Sequence, residues 1–213
     1  MDEAGAEAIE LRDGRRHKEG EPYFGGDVAY DHATNEAFYA LRLGRLLDIL
    51  GTSLSVEAPL RLLDAGCGTG RFTRALTRCG HKVDGIDPSP SAVEACRTEA
   101  VGPDRYSVSE LVNWTSPHLY DGVFAMDVLF HLTEDDVWRR SVMNLASLVR
   151  LGGRLALAAD DAPPDHLDGD DQVGRVRADY TSLVQPLGFR DEGFVAYRFR
   201  DHPAGLHVLR RVA

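Results

Sequence analysis

The 213-residue sequence is poor in features that announce a specialised class. No apolar run approaches the ~20 residues that a membrane-spanning helix needs, and the N-terminus is polar and acidic where a signal peptide would be basic and then apolar. A membrane partner and export are therefore not expected, and a cytoplasmic setting is. The basic patch or stripe of a phosphate-backbone binder is missing, and the formal charge is −10. Nucleic acid is thus not an expected partner. The three cysteines, Cys67, Cys79 and Cys96, cannot all pair. They show neither CxxC spacing nor a histidine cluster suited to zinc, which fits a reducing compartment. There is no internal repeat. The one biased tract is the aspartate-rich segment Asp160 to Asp171, which lacks the ordered spacing of a calcium loop, so no metal site is expected.

What remains is enough for one well-buried core and too little for two full domains. Residues 1–30 are charged and glycine-containing, without a sustained apolar stripe, and read as a partly mobile arm. Residues 31–213 read as a single domain with an N-terminal helical cap. Tyr39, Leu43, Leu46, Leu47 and Leu50 line one helical face, and Gly51 supplies a stop.

From there strands and helices alternate. Leu60 to Ala65 predicts a strand, followed by a glycine cluster and a helix over Phe72 to Arg78. His81 to Asp87 predicts a second strand, with Ser89 and Pro90 as N-cap and first-turn proline of a helix through Ala100. Arg105 to Ser109 and Tyr120 to Met126 are the third and fourth strands. Thr133 and Asp136 mark a helix running to Val149, Gly152 and Gly153 turn the chain, and Arg154 to Ala159 forms the fifth strand. A helix around Val176 to Leu187 leads to strands over Phe194 to Arg200 and Leu206 to Val212, joined as a hairpin by a Pro/Gly turn. Regular alternation of this kind implies an α/β fold, a mostly parallel sheet with helices on both faces.

The chemistry concentrates after the first strand, in Asp64-Ala65-Gly66-Cys67-Gly68-Thr69-Gly70. Glycines there let backbone approach a ligand, and the helix behind offers free N–H groups. A dinucleotide fingerprint, Gly-x-Gly-x-x-Gly, would need glycine where Arg71 stands, and the Gly-Lys-Ser/Thr ending of a phosphate loop is absent.

Leu62 to Gly70 resembles the first signature motif of class I S-adenosylmethionine-dependent methyltransferases, and Val83-Asp84-Gly85-Ile86-Asp87-Pro88-Ser89 is similar to the second. Val108-Ser109-Glu110-Leu111 resembles the third-strand end, with Glu110 where the family usually has Asp. Tyr120 to Leu132 resembles the fourth motif of the small-molecule members, and Leu151 to Leu155 the loop before strand five, with Leu151 in place of proline.

The resemblance implies a Rossmann-like three-layer sandwich, its seven-stranded sheet ordered 3-2-1-4-5-7-6 with an antiparallel C-terminal hairpin. It implies S-adenosyl-L-methionine as cofactor. The loop, including Asp64, Ala65, Gly66, Cys67, Gly68 and Gly70, would hold the methionine part. Asp87, followed by Pro88, would take both ribose hydroxyls, a job that suits a carboxylate's two acceptor oxygens. Glu110 and the Leu111 N–H would meet adenine beside Met126, and Tyr23 would help to roof the pocket. His131 is the candidate base and Asp127 a group that orients the ligand. Tyr30, Arg175 and Arg177 are further pocket candidates. The implied activity is methyl transfer to an O, N or C atom of a small metabolite, as in secondary metabolism, by a monomer or homodimer. A non-catalytic S-adenosylmethionine-binding module and a nicotinamide-dependent oxidoreductase stay open as alternatives.

Overall fold

The structure, a computed structural model, describes residues 30–51, 58–100, 102, 105–160, 172–200 and 203–213. The first helix, α1 (His32–Leu50), starts where Asp31 Oδ1 accepts a hydrogen bond from Thr34 N at 2.7 Å. It stops at Gly51, whose φ of 69° is the left-handed C-cap that glycine adopts without strain. Phe38, Tyr39, Leu46, Ile49 and Leu50 are buried on its inner face, while the expected Leu43 and Leu47 sit at the margin, half-buried.

Seven strands form one sheet in the order β3-β2-β1-β4-β5-β7-β6, as the family resemblance implies. They are β1 (Arg61–Ala65), β2 (Lys82–Asp87), β3 (Arg105–Val108), β4 (Tyr120–Ala125), β5 (Val149–Asp160), β6 (Phe189–Ala196) and β7 (Ala204–Arg211). The first five run parallel, and β7 is antiparallel to both β5 and β6. The connecting helices are α2 (Arg71–Arg78), α3 (Pro90–Thr98), α4 (Asp135–Ser147) and α5 (Arg177–Val184).

Alternation along the strands divides the core in two. Leu63, Val123, Leu155 and Leu209 face one way and meet Trp138, Val142 and Leu145 of α4 with Tyr180 and Val184 of α5. Leu62, Val83, Phe124 and Leu206 face the other way and meet α1 and, through Phe72 and Leu76, α2. Neighbours Leu62 and Leu63 thus serve opposite layers, and both are fully buried. That is why the parallel strands read as nearly continuous apolar runs.

Several boundaries differ from the sequence expectation, four of them with a clear physical reason. Ser89 and Pro90 open α3 as expected, but α4 begins after Glu134 without a side-chain cap, stabilised instead by Asp135 and Asp136 in its first turn. Gly152 and Gly153 lie inside β5, where the register against β4 jumps between Tyr120 and Gly122. A side chain at Gly153 would begin 2.8 Å from Asp121 O, so the pair permits close backbone contact within the strand. The α5 segment gives way at Val184 to a 3₁₀ turn over Gln185–Leu187, which contains Pro186. Finally, β6 starts five residues earlier than expected, at Phe189, and ends before Arg198 and Arg200, which both have positive φ.

Candidate functional site

The C-terminal ends of β1, β2, β3 and β4 bring Ala65, Asp87, Val108 and Ala125 to one edge of the sheet, where open parallel sheets hold their ligands. Between β1 and α2 the glycine loop is fastened to β2, because Gly66 N and Cys67 N both donate to Ile86 O at 2.8 Å. Gly66, Gly68 and Gly70 all have positive φ. Their surroundings differ. A Cβ at Gly66 would lie 2.3 Å from a Val128 methyl, and one at Gly70 would lie 2.9 Å from Cys96 Sγ, so both are needed for packing. Among the described residues nothing lies within 4 Å of the corresponding point at Gly68, which leaves room for a ligand against the backbone.

Asp87 is 4% exposed and holds this tip. Its Oδ2 accepts from Gly68 N and its Oδ1 from Ser89 N, each at 2.9 Å. Pro88 follows, half-buried, and carries the chain into the Ser89 cap of α3.

Beneath the loop, Asp64 is fully buried and accepts from Thr73 N at 3.1 Å and from the Thr73 hydroxyl at 2.7 Å. Burial pushes its carboxyl up to about 7, with the Thr73 hydrogen bonds pulling the other way and the Asp87 charge adding to the rise. In an unfolded chain the group titrates near an ordinary ~4. Because the folded state holds the proton more tightly, the stabilisation is complete below about pH 4 and is gone once the pH passes about 7. Asp64→Asn should remove that dependence. Between about pH 5 and 7 the unmodified protein should lose on the order of 2 kcal/mol of unfolding free energy through this group, at 1.36 kcal/mol per unit, and the variant should not. Urea titrations at both pH values measure it, and equal losses would reject it.

At the β3 end, Ser109 N donates to Asp87 O, and Glu110 Oε2 accepts from Asn113 Nδ2 at 2.8 Å. Leu111 is buried, and its carbonyl is held by Asn144 Nδ2. At the β4 end Met126 is buried, Asp127 follows with φ 57°, and a 3₁₀ turn over Leu129–His131 places the half-buried His131 ring 4.4 Å from that of Phe130.

Asp127 does not stand alone. Its Oδ2 lies 2.6 Å from Nη2 of Arg42 on α1, a side chain 2% exposed that the sequence expectation passed over. Four rings, those of Phe38, Tyr39, Phe72 and Tyr197, surround the guanidinium at 5.1–5.6 Å from their centroids. Burial works against the charge, but Asp127 and the tyrosines hold the Arg42 guanidinium protonated even more firmly than usual. Its Nε is buried and has no acceptor among the described residues. A cation on the otherwise apolar face of a helix was the available signal in the sequence.

Arg71, which excluded the dinucleotide spacing, also reaches α1. Its two terminal nitrogens each lie 2.6 Å from a Glu36 oxygen, and its guanidinium sits 4.1 Å from the Tyr39 ring centre. Helix α1 therefore spans both banks of the site, through Arg71 beyond β1 and Asp127 beyond β4. Arg175 is buried on Trp138 and paired with Asp135, and Arg177 lies over Phe194. Tyr30 packs edge-on against Phe38 and Phe199. Tyr23, the rest of the 1–29 arm and residues 161–171 of the aspartate-rich segment lie outside the described residues. Among the described residues there is no cluster of metal-ligating side chains, and no helix is long and apolar enough to cross a membrane.

Comparison with known proteins agrees with this geometry. Residues 62–153 match the family model described as a methyltransferase domain. The chain is 30% identical over 174 residues to a ubiquinone biosynthesis O-methyltransferase of Methylocella silvestris, covering 72% of this chain and 62% of that protein. It is 29% identical over 167 residues to nodulation protein S of Rhizobium tropici, covering 74% of this chain and 70% of that one. The chain spans less than two thirds of the first curated relatives it matches, 62%, 43% and 34% of their lengths. Among solved structures, magnesium protoporphyrin IX methyltransferase from Synechocystis with S-adenosylmethionine bound shares the fold. Its TM-score is 0.73 at 19% identity, over 99% of this chain and 98% of that one.

Proposed function

We propose that the chain is a class I S-adenosylmethionine-dependent methyltransferase that transfers a methyl group from S-adenosylmethionine to an O, N or C atom of a small metabolite, a reading supported by the match of residues 62–153 to a methyltransferase-domain family model. The observation that carries the reading is the pairing of an open Gly68 tip with a buried Asp87 that grips it. The donor set fits the cofactor: backbone groups at an open loop tip and, in Asp87, an acceptor for a diol.

S-Adenosylmethionine, when bound, supplies a methyl on a sulfonium that departs as a neutral thioether, so no acid is needed at the leaving group. The protein's part is alignment and exclusion of water. Residues 64–70 would hold the methionine end, Asp87 and Pro88 the ribose, and Glu110, Leu111 and Met126 the adenine. Asp127, steadied by Arg42, orients the ligand. His131 accepts a proton where the acceptor must lose one. This reading brings with it a cytoplasmic setting, a monomeric or homodimeric state, one domain over 31–213, and neither nucleic acid nor membrane as partner.

The test is S-adenosylhomocysteine formation from purified protein, S-adenosylmethionine and a panel of phenolic, amine and carboxylate metabolites. Formation above the protein-free rate is expected with at least one of them. His131→Ala should slow it by roughly 10²-fold or more for a hydroxyl acceptor, at unchanged S-adenosylhomocysteine affinity. Tight S-adenosylhomocysteine binding without turnover across the panel would favour a non-catalytic binding module instead.

A further inference from the structure

The glycine loop contains a thiol, and a second thiol reaches it from α3. Cys67 is 8% exposed and Cys96 is fully buried, and they form a small cluster with Val93 and Tyr106. Both sulfurs turn to one carbonyl: Cys96 Sγ lies 3.2 Å from Gly68 O and Cys67 Sγ 3.7 Å from it. The neighbouring Cys96 thiol and burial together push the Cys67 thiol well above its ordinary range. The third thiol, Cys79, is exposed on the far end of α2.

We propose that Cys67 and Cys96 form an oxidative modification site in which a peroxide converts the two thiols into a disulfide that disables the cofactor loop. The reaction balances without further reagents. The Cys67 sulfur attacks one oxygen of hydrogen peroxide, the O–O bond breaks, and a sulfenic acid and one water result. The Cys96 sulfur then attacks the sulfenic sulfur, the S–O bond breaks, and a second water leaves with the last thiol proton. Two sulfurs are oxidised, and the peroxide oxygens are reduced.

The consequences follow from what the thiols hold. Gly68 O loses both S–H contacts, and a covalent tie draws Cys67 toward α3 in a loop whose Gly68 N is the group that Asp87 grips. Cys67, 8% exposed beside the Gly68 tip, is the thiol that a small oxidant meets first. A ligand lying against that tip would close the approach, so oxidation and cofactor binding should exclude each other. Buried, protonated thiols react slowly, so the switch should answer sustained peroxide and should run faster at alkaline pH.

The inference rests on the cofactor reading above for its consequence, although the cross-link itself can be tested without it. The full chain is treated with hydrogen peroxide, alone and with saturating S-adenosylhomocysteine, then denatured, alkylated and mapped by mass spectrometry. A Cys67–Cys96 cross-link is expected, reversed by dithiothreitol and suppressed at least fivefold by S-adenosylhomocysteine. Calorimetry should show S-adenosylhomocysteine affinity reduced tenfold or more in the oxidised protein and restored on reduction. Cys96→Ala should form no such cross-link, and its own affinity should not respond to peroxide. Failure to cross-link under sustained peroxide at alkaline pH would overturn the proposal, as would an equal peroxide-induced affinity loss in Cys96→Ala. If untreated protein bound no S-adenosylhomocysteine, the cofactor reading would fall and the proposed switch with it, whereas a missing cross-link in protein that binds it would sink the switch alone.

Discussion

Asp87→Ala is expected to weaken S-adenosylhomocysteine binding by ~1–3 kcal/mol, roughly 5- to 150-fold, with the fold retained. The carboxylate does two jobs at one point. It orders the loop by accepting from Gly68 N and Ser89 N, and the same carboxylate is the proposed acceptor for the ribose hydroxyls. Alanine leaves two N–H groups without that partner and gives the diol none. Asp87→Asn separates the two roles, since an amide has one accepting oxygen and its NH₂ would face an N–H donor. It should therefore bind nearly as poorly as alanine, although its volume is conserved. Calorimetry with a thermal melt on each variant decides the matter. An affinity within twofold of the unmodified protein would remove Asp87 from the cofactor assignment.

The second large effect is expected at Arg42. Arg42→Ala should cost ~3–5 kcal/mol of unfolding free energy, because it empties a space lined by four rings and forfeits their attraction for the cation. Charge and volume can be told apart here. Asp127 is 44% exposed, so water can solvate it when its partner goes, and the loss should follow the cavity more than the broken ion pair. Arg42→Met refills the cavity without the charge and should recover most of the stability. Activity should not recover with it, since Asp127, held at a φ of 57°, then loses the contact that opposes its strain. Urea unfolding of the two variants reads the first effect and turnover the second. Equal destabilisation by Met and Ala would show that charge, not packing, makes this position costly.

These two positions also mark what could be read from the sequence. Asp87 was legible because its partner lies in a loop one helix earlier, and the motif is a local spacing. Arg42 was not, because Asp127 meets it only after β4 has been laid beside β1. Cys96 was hidden for the same reason, its contact with Gly68 O arising from the way α3 packs. The order of elements came through because apolar runs and glycine or proline stops are local signals. The misplaced β6 shows the limit. Arg190, Asp191 and Glu192 open it at the sheet's edge, where one side lacks a strand partner and charged residues are tolerated, so no apolar pattern announces it. In β5 the Gly152-Gly153 pair reads as a turn, whereas in the sheet it is the irregularity that lets the strand continue.

The place of β1 in the sheet bears on how the molecule is made. Its neighbour on one side, β2, follows at once, but the other, β4, lies far downstream: Arg61 N donates to Asp121 Oδ2 across 60 residues. At roughly 5–20 residues per second, a ribosome needs about 3–12 s to supply that span. During that interval one edge of β1, including Leu62 and Leu63, has no strand to meet. Whatever shields those backbone groups on the nascent chain governs how much protein reaches the folded state.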